Sequence, residues 1–222
     1  MPVNTEKWRQ ITGELGNEVT LIAVSKTKPV DDIKALYELG QRDFGENYVQ
    51  EMVSKQQQLP PDIRWHFIGH LQSNKVKDIV PVAYLIQGVD SLKLLKEIQK
   101  AAAKAAKQIS VLLQVHIAAE ETKFGLNEQE LGEIQQQHHQ FGAILFTGLM
   151  GMASNTFDQQ KVEAEFGHLR ALFDAYKLPT EGNWQFSILS MGMSGDYKTA
   201  VRQGSSMVRI GSLLFGERDY SK

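Results

Sequence analysis

"VTLIAVSKTKP" (residues 19–29) is the stretch on which the reading of this chain turns. Its apolar run reaches Val24, a serine and Lys26 follow, and a proline closes the segment at position 29. A run apolar at both parities is how a strand covered on both faces looks, and parallel sheets cover both faces. Alternation puts Ile22, Val24 and Lys26 on one side. Lys26 therefore stands where a buried strand ends. It could snorkel, its stem on apolar surface and its charge in water. Alternatively, burial disfavours the ammonium, and the neutral amine can attack an aldehyde to form a Schiff base. Lys28 shares the parity and is a rival for either role.

Seven more strand-like runs follow, at residues 42–45, 64–68, 83–88, 110–117, 143–150, 183–190 and 206–211. Helical patterns separate them. In "DDIKALYELG" (31–40), Asp31 or Asp32 can cap the start, Ile33, Leu36 and Leu39 share a face, and Gly40 suits the end. Leu92, Leu95, Ile98, Ala102 and Ala105 form a second stripe; Val162, Phe166, Leu169, Phe173 and Tyr176 form a third, which stops before Pro179. Such stripes are core faces rather than cofactor boxes. Eight strands alternating with helices, with one extra helix ahead of them, predict a single α/β domain over residues 1–222. The expected architecture is a (β/α)8 TIM barrel, with an open doubly wound sheet as the competing topology.

Composition narrows the function classes. The 222 residues carry a net charge of −2, so nothing suggests general attraction to nucleic acid or anionic lipid. No apolar run is long enough for a membrane span, and the polar start "MPVNTEKWRQITGELG" does not look like a secretory signal. Cysteine is absent, which excludes disulfides, thiolate catalysis and cysteine-ligated metal. A cytoplasmic protein is expected.

A second informative region is "LSMGMSGDYKTAVRQGSSMVRIGSLLFG" (189–216). A Gly/Ser-rich turn follows the seventh strand, a short helix starts near Asp196, and Gly204 is placed to end it. Loops after strands seven and eight of barrels often hold a phosphate on backbone N–H groups. Gly192 and Gly211 would let the backbone approach closely, and Ser190, Ser194 and Ser212 carry hydroxyls. Two ordinary turns are the plainer alternative. In "SMVRIG", alternation separates Val208 and Ile210 from Met207 and Arg209. If Arg209 points inward, its guanidinium needs an acceptor such as a ring nitrogen with a free lone pair. If it points outward, it pairs among the helices.

A Schiff-base lysine, a phosphate cradle and an inward arginine together describe a pocket for pyridoxal 5′-phosphate. The motifs "AVSKTKP" (23–29), "FGENYVQE" (44–51), "WHFIGHLQSNK" (65–75), "LSMGMSGD" (189–196) and "RIGSLLFG" (209–216), in this order, make the chain resemble the pyridoxal-phosphate homeostasis protein family. The likeness runs from about Val19 to Gly216. It implies a fold like the N-terminal barrel domain of alanine racemase, with Lys26 holding the cofactor as an internal aldimine and Asn47 beside the ring. It further implies Ser190, Gly192, Ser194, Gly211 and Ser212 around the phosphate, Arg209 at the pyridine nitrogen, and Asn74 and Lys75 at the pocket's mouth. Two stretches depart from the family pattern. His116 in "LLQVHIAAEETKFG" (112–125) stands where asparagine is usual, and "LMGMA" (149–153) lacks the expected threonine. His66, His70 and His116 are read as structural or pocket-lining residues rather than a zinc site.

Resemblance to a racemase barrel does not imply racemisation, which needs a base on each face of the bound substrate. In alanine racemases the second base crosses a dimer interface aided by a further domain, and this chain ends soon after its eighth strand. An arginine at the ring nitrogen also weakens the cofactor as an electron sink. The expectation is therefore a monomeric pyridoxal-phosphate-binding protein acting in vitamin B6 homeostasis, without robust turnover, with pyridoxal-phosphate-dependent apo-enzymes as possible recipients. A low-activity racemase or lyase, and an aldolase using Lys26, are the rival readings.

Overall fold

Strand β1 (Thr20–Val24) begins a parallel sheet that the sequence pattern continues through β2 (Asp43–Glu46), β3 (Arg64–Phe67), β4 (Leu85–Val89), β5 (Ile109–Gln114), β6 (Ile144–Met150), β7 (Trp184–Ser190) and β8 (Met207–Ile210). The computed structural model describes residues 3–118, 124–178 and 180–216. Pro179 and part of the 112–125 stretch lie outside these residues. Consecutive strands pair in order, and β8 returns to β1 with Thr20 opposite Met207 and Ala23 opposite Ile210. The sheet closes. The open doubly wound alternative is thereby set aside, and no residue of a free sheet edge needs shielding.

Helices α1 (Thr5–Leu15), α2 (Val30–Glu38), α3 (Val49–Gln56), α4 (Val76–Ile79), α5 (Leu92–Lys104), α6 (Glu128–Gln136), α7 (Gln159–Tyr176), α8 (Tyr197–Arg202) and α9 (Ser212–Phe215) accompany the strands. Outward-facing strand residues such as Ala23, Phe44, Trp65, Ile86, Val111 and Val208 pack with Ile33, Leu36, Leu95, Ile98, Phe166 and Leu169 of the helices in one continuous core. The opposite parity forms a smaller cluster inside the barrel, from Ile22, Leu85, Leu112, Met150 and Met207. Full burial of each such side chain is worth about 1.5–3 kcal/mol. Ile22 and Met207 therefore settle both sequence questions of parity: Val24, Lys26 and Arg209 belong to the inward faces.

Local details differ from expectation at three places. Neither Asp31 nor Asp32 caps α2; Pro29 occupies the cap position and the two carboxylates sit in the first turn, where the helix dipole favours them. In α5 the buried set is Leu94, Leu95, Ile98 and Ala102, with Ala105 outside the helix at its C-cap, where the chain turns away. β5 stops at Gln114 rather than 117, because the backbone beyond it turns to pair with the returning segment. There Val115 bridges Leu126, and the His116 N–H donates to the Leu126 carbonyl at 3.0 Å. Gly40, past the end of α2, has φ of +105°, as expected of a terminating glycine.

Candidate functional site

Lys26 lies in the turn that follows β1, half-buried. The residues on either side of it are held from below. Ser25 donates its backbone N–H to the Gly45 carbonyl at 2.9 Å and its hydroxyl to Glu46 Oε1 at 2.6 Å. Its own carbonyl accepts from Lys55 Nζ at 2.9 Å. Thr27, at a φ of +63° that β-branched residues rarely adopt, donates its N–H to Glu51 Oε2 at 2.8 Å. Lys55 Nζ, from α3, joins both carboxylates, at 2.8 Å to Glu46 Oε1 and 2.8 Å to Glu51 Oε2. One charged cluster thus fixes the backbone on both flanks of Lys26. Burial pushes the Glu46 carboxyl up to about 7, against the opposing pull of Lys55 and Ser25. Its Oε2 has no hydrogen-bond partner.

At the carboxyl ends of the strands is a cavity of about 290 Å³. Its walls come from Val24, Lys26, Lys28, Asn47, Ile68 and Met152, and from Met193, Ser194, Gly195, Arg209, Gly211, Ser212 and Gly216 in or near the last two strands' loops. Six residues expected around one ligand therefore do meet in one place: Lys26, Asn47, Ser194, Arg209, Gly211 and Ser212. Lys28 also lines the wall, but its Nζ donates to the Phe215 carbonyl at 2.7 Å, tying the turn to the end of α9. Asn47 follows β2, and its Oδ1 is buried without a hydrogen-bond partner. Such a group costs stability unless something bonds beside it.

Arg209 is 4% exposed and reaches the cavity from inside the barrel. Its Nη1 donates to Ser190 Oγ at 2.7 Å and its Nη2 to the Gly151 carbonyl at 3.0 Å. Burial pushes the guanidinium down to about 10, while Asp196 acts the other way, so it stays charged at neutral pH.

Two of the expected phosphate contacts are placed differently. Ser190 is fully buried and not part of the cavity wall; its hydroxyl accepts from Arg209 and donates to Gln87 Oε1 at 2.7 Å. Gly192 is also buried, at φ +97°, where an added Cβ would come within 2.6 Å of Ala200 Cβ. It shapes the loop, and its carbonyl accepts the Arg209 backbone N–H at 2.9 Å. Ser194 joins the two loops by accepting the Gly211 N–H at 3.3 Å. Asn74 and Lys75 belong to a short 3-10 turn (Ser73–Lys75) and do not line the cavity; only Ile68 of the 65–75 stretch does.

His66 is enclosed in the barrel, and His70 bonds Asp90 Oδ2 at 2.9 Å on the surface. His116 does not line the cavity. Among the described residues, no group of three His, Asp or Glu side chains could hold a metal ion. The departing stretch at 149–153 does contribute, through the Gly151 carbonyl and Met152. Sequence reasoning missed Gln87 and the Glu46–Lys55 pair. A glutamine amid "AYLIQG" was the available signal for the first; Glu46 and Lys55, nine residues apart on different elements, left none.

The fold and site define a closed (β/α)8 barrel with a lysine after β1 and an arginine on β8 facing one cavity at the carboxyl ends of its strands. The family model described as "Alanine racemase, N-terminal domain" matches residues 4–219. The "Pyridoxal phosphate homeostasis protein" of Pasteurella multocida is 40% identical over 211 residues, covering 92% of this chain and 88% of that protein. The human protein of the same name is 39% identical over 213 residues, covering 91% of this chain and 78% of its own length. The chain belongs to the pyridoxal phosphate homeostasis protein family. Among solved structures, PipY of Synechococcus elongatus PCC7942 with PLP bound superposes with a TM-score of 0.86 at 32% identity, covering 95% of this chain and 99% of that one. An alanine racemase of Clostridium difficile 630 reaches 0.75 at 14% identity, covering 98% of this chain and 57% of that one; it shares the fold.

Proposed function

We propose that this protein binds pyridoxal 5′-phosphate and serves in its homeostasis, holding the cofactor rather than turning over a substrate. The observation that carries the reading is one cavity lined by Lys26, by Asn47, whose buried Oδ1 has no hydrogen-bond partner, and by the Arg209 guanidinium. Relatives bearing the homeostasis name, and a neighbour solved with PLP, support it.

Bound pyridoxal phosphate supplies an aldehyde that condenses with a lysine amine, and a ring able to withdraw electrons. The chain's own residues then divide the work. Lys26 presents its amine from a turn pinned by Glu46, Lys55 and Glu51. Asn47 offers its amide at the wall. Arg209 can only donate, so it favours a ring nitrogen that keeps its lone pair. Ser194 and Ser212 bring hydroxyls to the other rim, with Gly195 and Gly211 admitting close backbone approach. Ser190 and Gly192 act beneath them by holding Arg209 and the loop.

Turnover is disfavoured by what lines the cavity. Among the described lining residues the only amine besides that of Lys26 belongs to Lys28, which is bonded to the Phe215 carbonyl, and the charged guanidinium of Arg209 can only donate. Among these described residues, proton removal and return on opposite faces lacks its second partner. The reading extends to a cytoplasmic monomer of one domain, residues 1–222. Its partners are pyridoxal phosphate and the pyridoxal-phosphate-dependent apo-enzymes that receive it, not nucleic acid or membrane. Among the described residues no helix is long and apolar enough to cross a membrane. The test combines two measurements on protein loaded with pyridoxal phosphate: the visible absorption band, and deuterium exchange at Cα of a panel of amino acids in heavy water. A band with negligible exchange is expected; fast exchange abolished by Lys26→Ala makes the protein a low-activity racemase or lyase instead.

A further inference from the structure

Arg209 does not end in the cavity wall; it begins a line of hydrogen bonds through the barrel. Arg209 Nη1 meets Ser190 Oγ at 2.7 Å, Ser190 Oγ meets Gln87 Oε1 at 2.7 Å, Gln87 Nε2 meets His66 Nδ1 at 3.1 Å, and His66 Nε2 meets Asp43 Oδ1 at 3.0 Å. The five residues come from β8, β7, β4, β3 and β2, and all are buried. Asp43 starts β2, so it lies at the barrel's floor, opposite the cavity. There Arg64 Nε donates to Asp43 Oδ1 at 2.7 Å.

The direction of every bond follows from one end. A guanidinium has no acceptor, so the Ser190 hydroxyl must turn its hydrogen to Gln87. That requires the Gln87 carbonyl oxygen there, which leaves the amide nitrogen facing His66. Nδ1 of His66 is then an acceptor, and its proton sits on Nε2, aimed at Asp43. Donors run one way from a buried cation to a buried anion, and bonds aligned in this way polarise one another. Two titration trends agree. Burial lowers the His66 imidazole, keeping it neutral; desolvation pushes Asp43 up, but the hydrogen bonds from His66 and Arg64 outweigh it and hold the carboxylate ionised.

We propose that Asp43, His66, Gln87 and Ser190 are positioning residues for Arg209, a relay of aligned hydrogen bonds that fixes the guanidinium facing the ligand ring. The assignment rests on the reading of the cavity as a pyridoxal phosphate site, and its test separates the two. In cofactor-free protein labelled with ¹⁵N-histidine, His66 should show the Nε2–H tautomer. Gln87→Met, which breaks the relay at its middle, should shift the His66 ring nitrogens and speed solvent exchange of the Arg209 guanidinium protons. Ser190→Ala should reproduce the faster exchange, and serves if Gln87→Met does not fold. In loaded protein, Ser190→Ala should weaken pyridoxal phosphate binding about tenfold, as expected for losing a hydrogen bond to a charged group, and Asp43→Asn should weaken it by less, since its amide oxygen can still accept from His66. Both should also move the ¹⁵N shift of the labelled cofactor ring in the same direction. An Nδ1–H or doubly protonated His66, or folded variants with unchanged guanidinium exchange and ring shift, overturns the relay. If wild-type protein takes up no pyridoxal phosphate, the functional reading fails, and the cofactor-free measurements still decide the relay.

Discussion

Replacing Lys55 with methionine should destabilise the protein in a strongly pH-dependent way. Lys55 Nζ bonds the Ser25 carbonyl at 2.9 Å, Glu46 Oε1 at 2.8 Å and Glu51 Oε2 at 2.8 Å. Glu46 is 0% exposed, so Lys55→Met leaves a carboxylate buried without its cation; breaking such a pair typically costs about 3–5 kcal/mol. The charge state of Glu46 decides how much of that is felt. In the wild type its folded value, about 7, stands above the unfolded 4.5. Stability from the neutral form is thus fully present below about 4.5 and lost as pH rises through about 7. At about 1.4 kcal/mol per factor of ten, that loss is on the order of 3 kcal/mol. Lys55 is one of the groups holding Glu46 down, so without it the carboxyl titrates higher, and the loss continues at pH values where the wild type has levelled off. At pH 5.5 only hydrogen bonds are forfeited, about 1–2 kcal/mol; at pH 8.5 the cost should approach the full range. Urea unfolding at the two pH values measures the difference, and adding Glu46→Gln to Lys55→Met should restore most of it at pH 8.5. A cost below about 1 kcal/mol at pH 8.5, or one independent of pH, refutes the reasoning.

Lys28→Ala should keep covalent attachment at position 26 while costing about 1 kcal/mol, because its amine is tied to the Phe215 carbonyl; mass mapping and thermal melts check this. Asn47→Leu should act with opposite signs: cofactor-free protein is unchanged or more stable, since an unpartnered buried oxygen is removed, while pyridoxal phosphate affinity falls about tenfold in a titration. Gly192→Ala should cost about 1–3 kcal/mol by calorimetry, because φ of +97° strains any Cβ and Ala200 is already in its way.

The strand pattern was legible because both faces of a parallel barrel are buried, and the first, fifth and sixth strands wrote that burial as nearly continuous apolar runs, whereas β2 and β3 carry Asp43, Glu46 and Arg64. The parity of Lys26 and of Arg209 followed from alternation, and Ile22 and Met207 fix which parity is interior. What alternation could not convey is depth. Ser190 and Arg209 share the interior, but one hydroxyl lies a layer below the cavity and is consumed by Gln87. Asn74 and Lys75 were misplaced for a related reason: a polar run after a strand marks the right end of the barrel without saying which residues turn inward. Glu46 and Lys55 escaped notice because a buried ion pair between a strand and a helix has no spacing that betrays it. The start of α2 fell earlier than either aspartate, with Pro29 in an extended conformation at the cap position and no side-chain capping bond, which leaves Asp31 and Asp32 in the first turn.

Borohydride reduction of protein loaded with pyridoxal phosphate, followed by peptide mapping, tests the central claim most directly. Nearly all of the label should be found on Lys26, and Lys26→Ala should leave the chain unlabelled. Labelling at Lys28 or elsewhere, or none at all, contradicts the account.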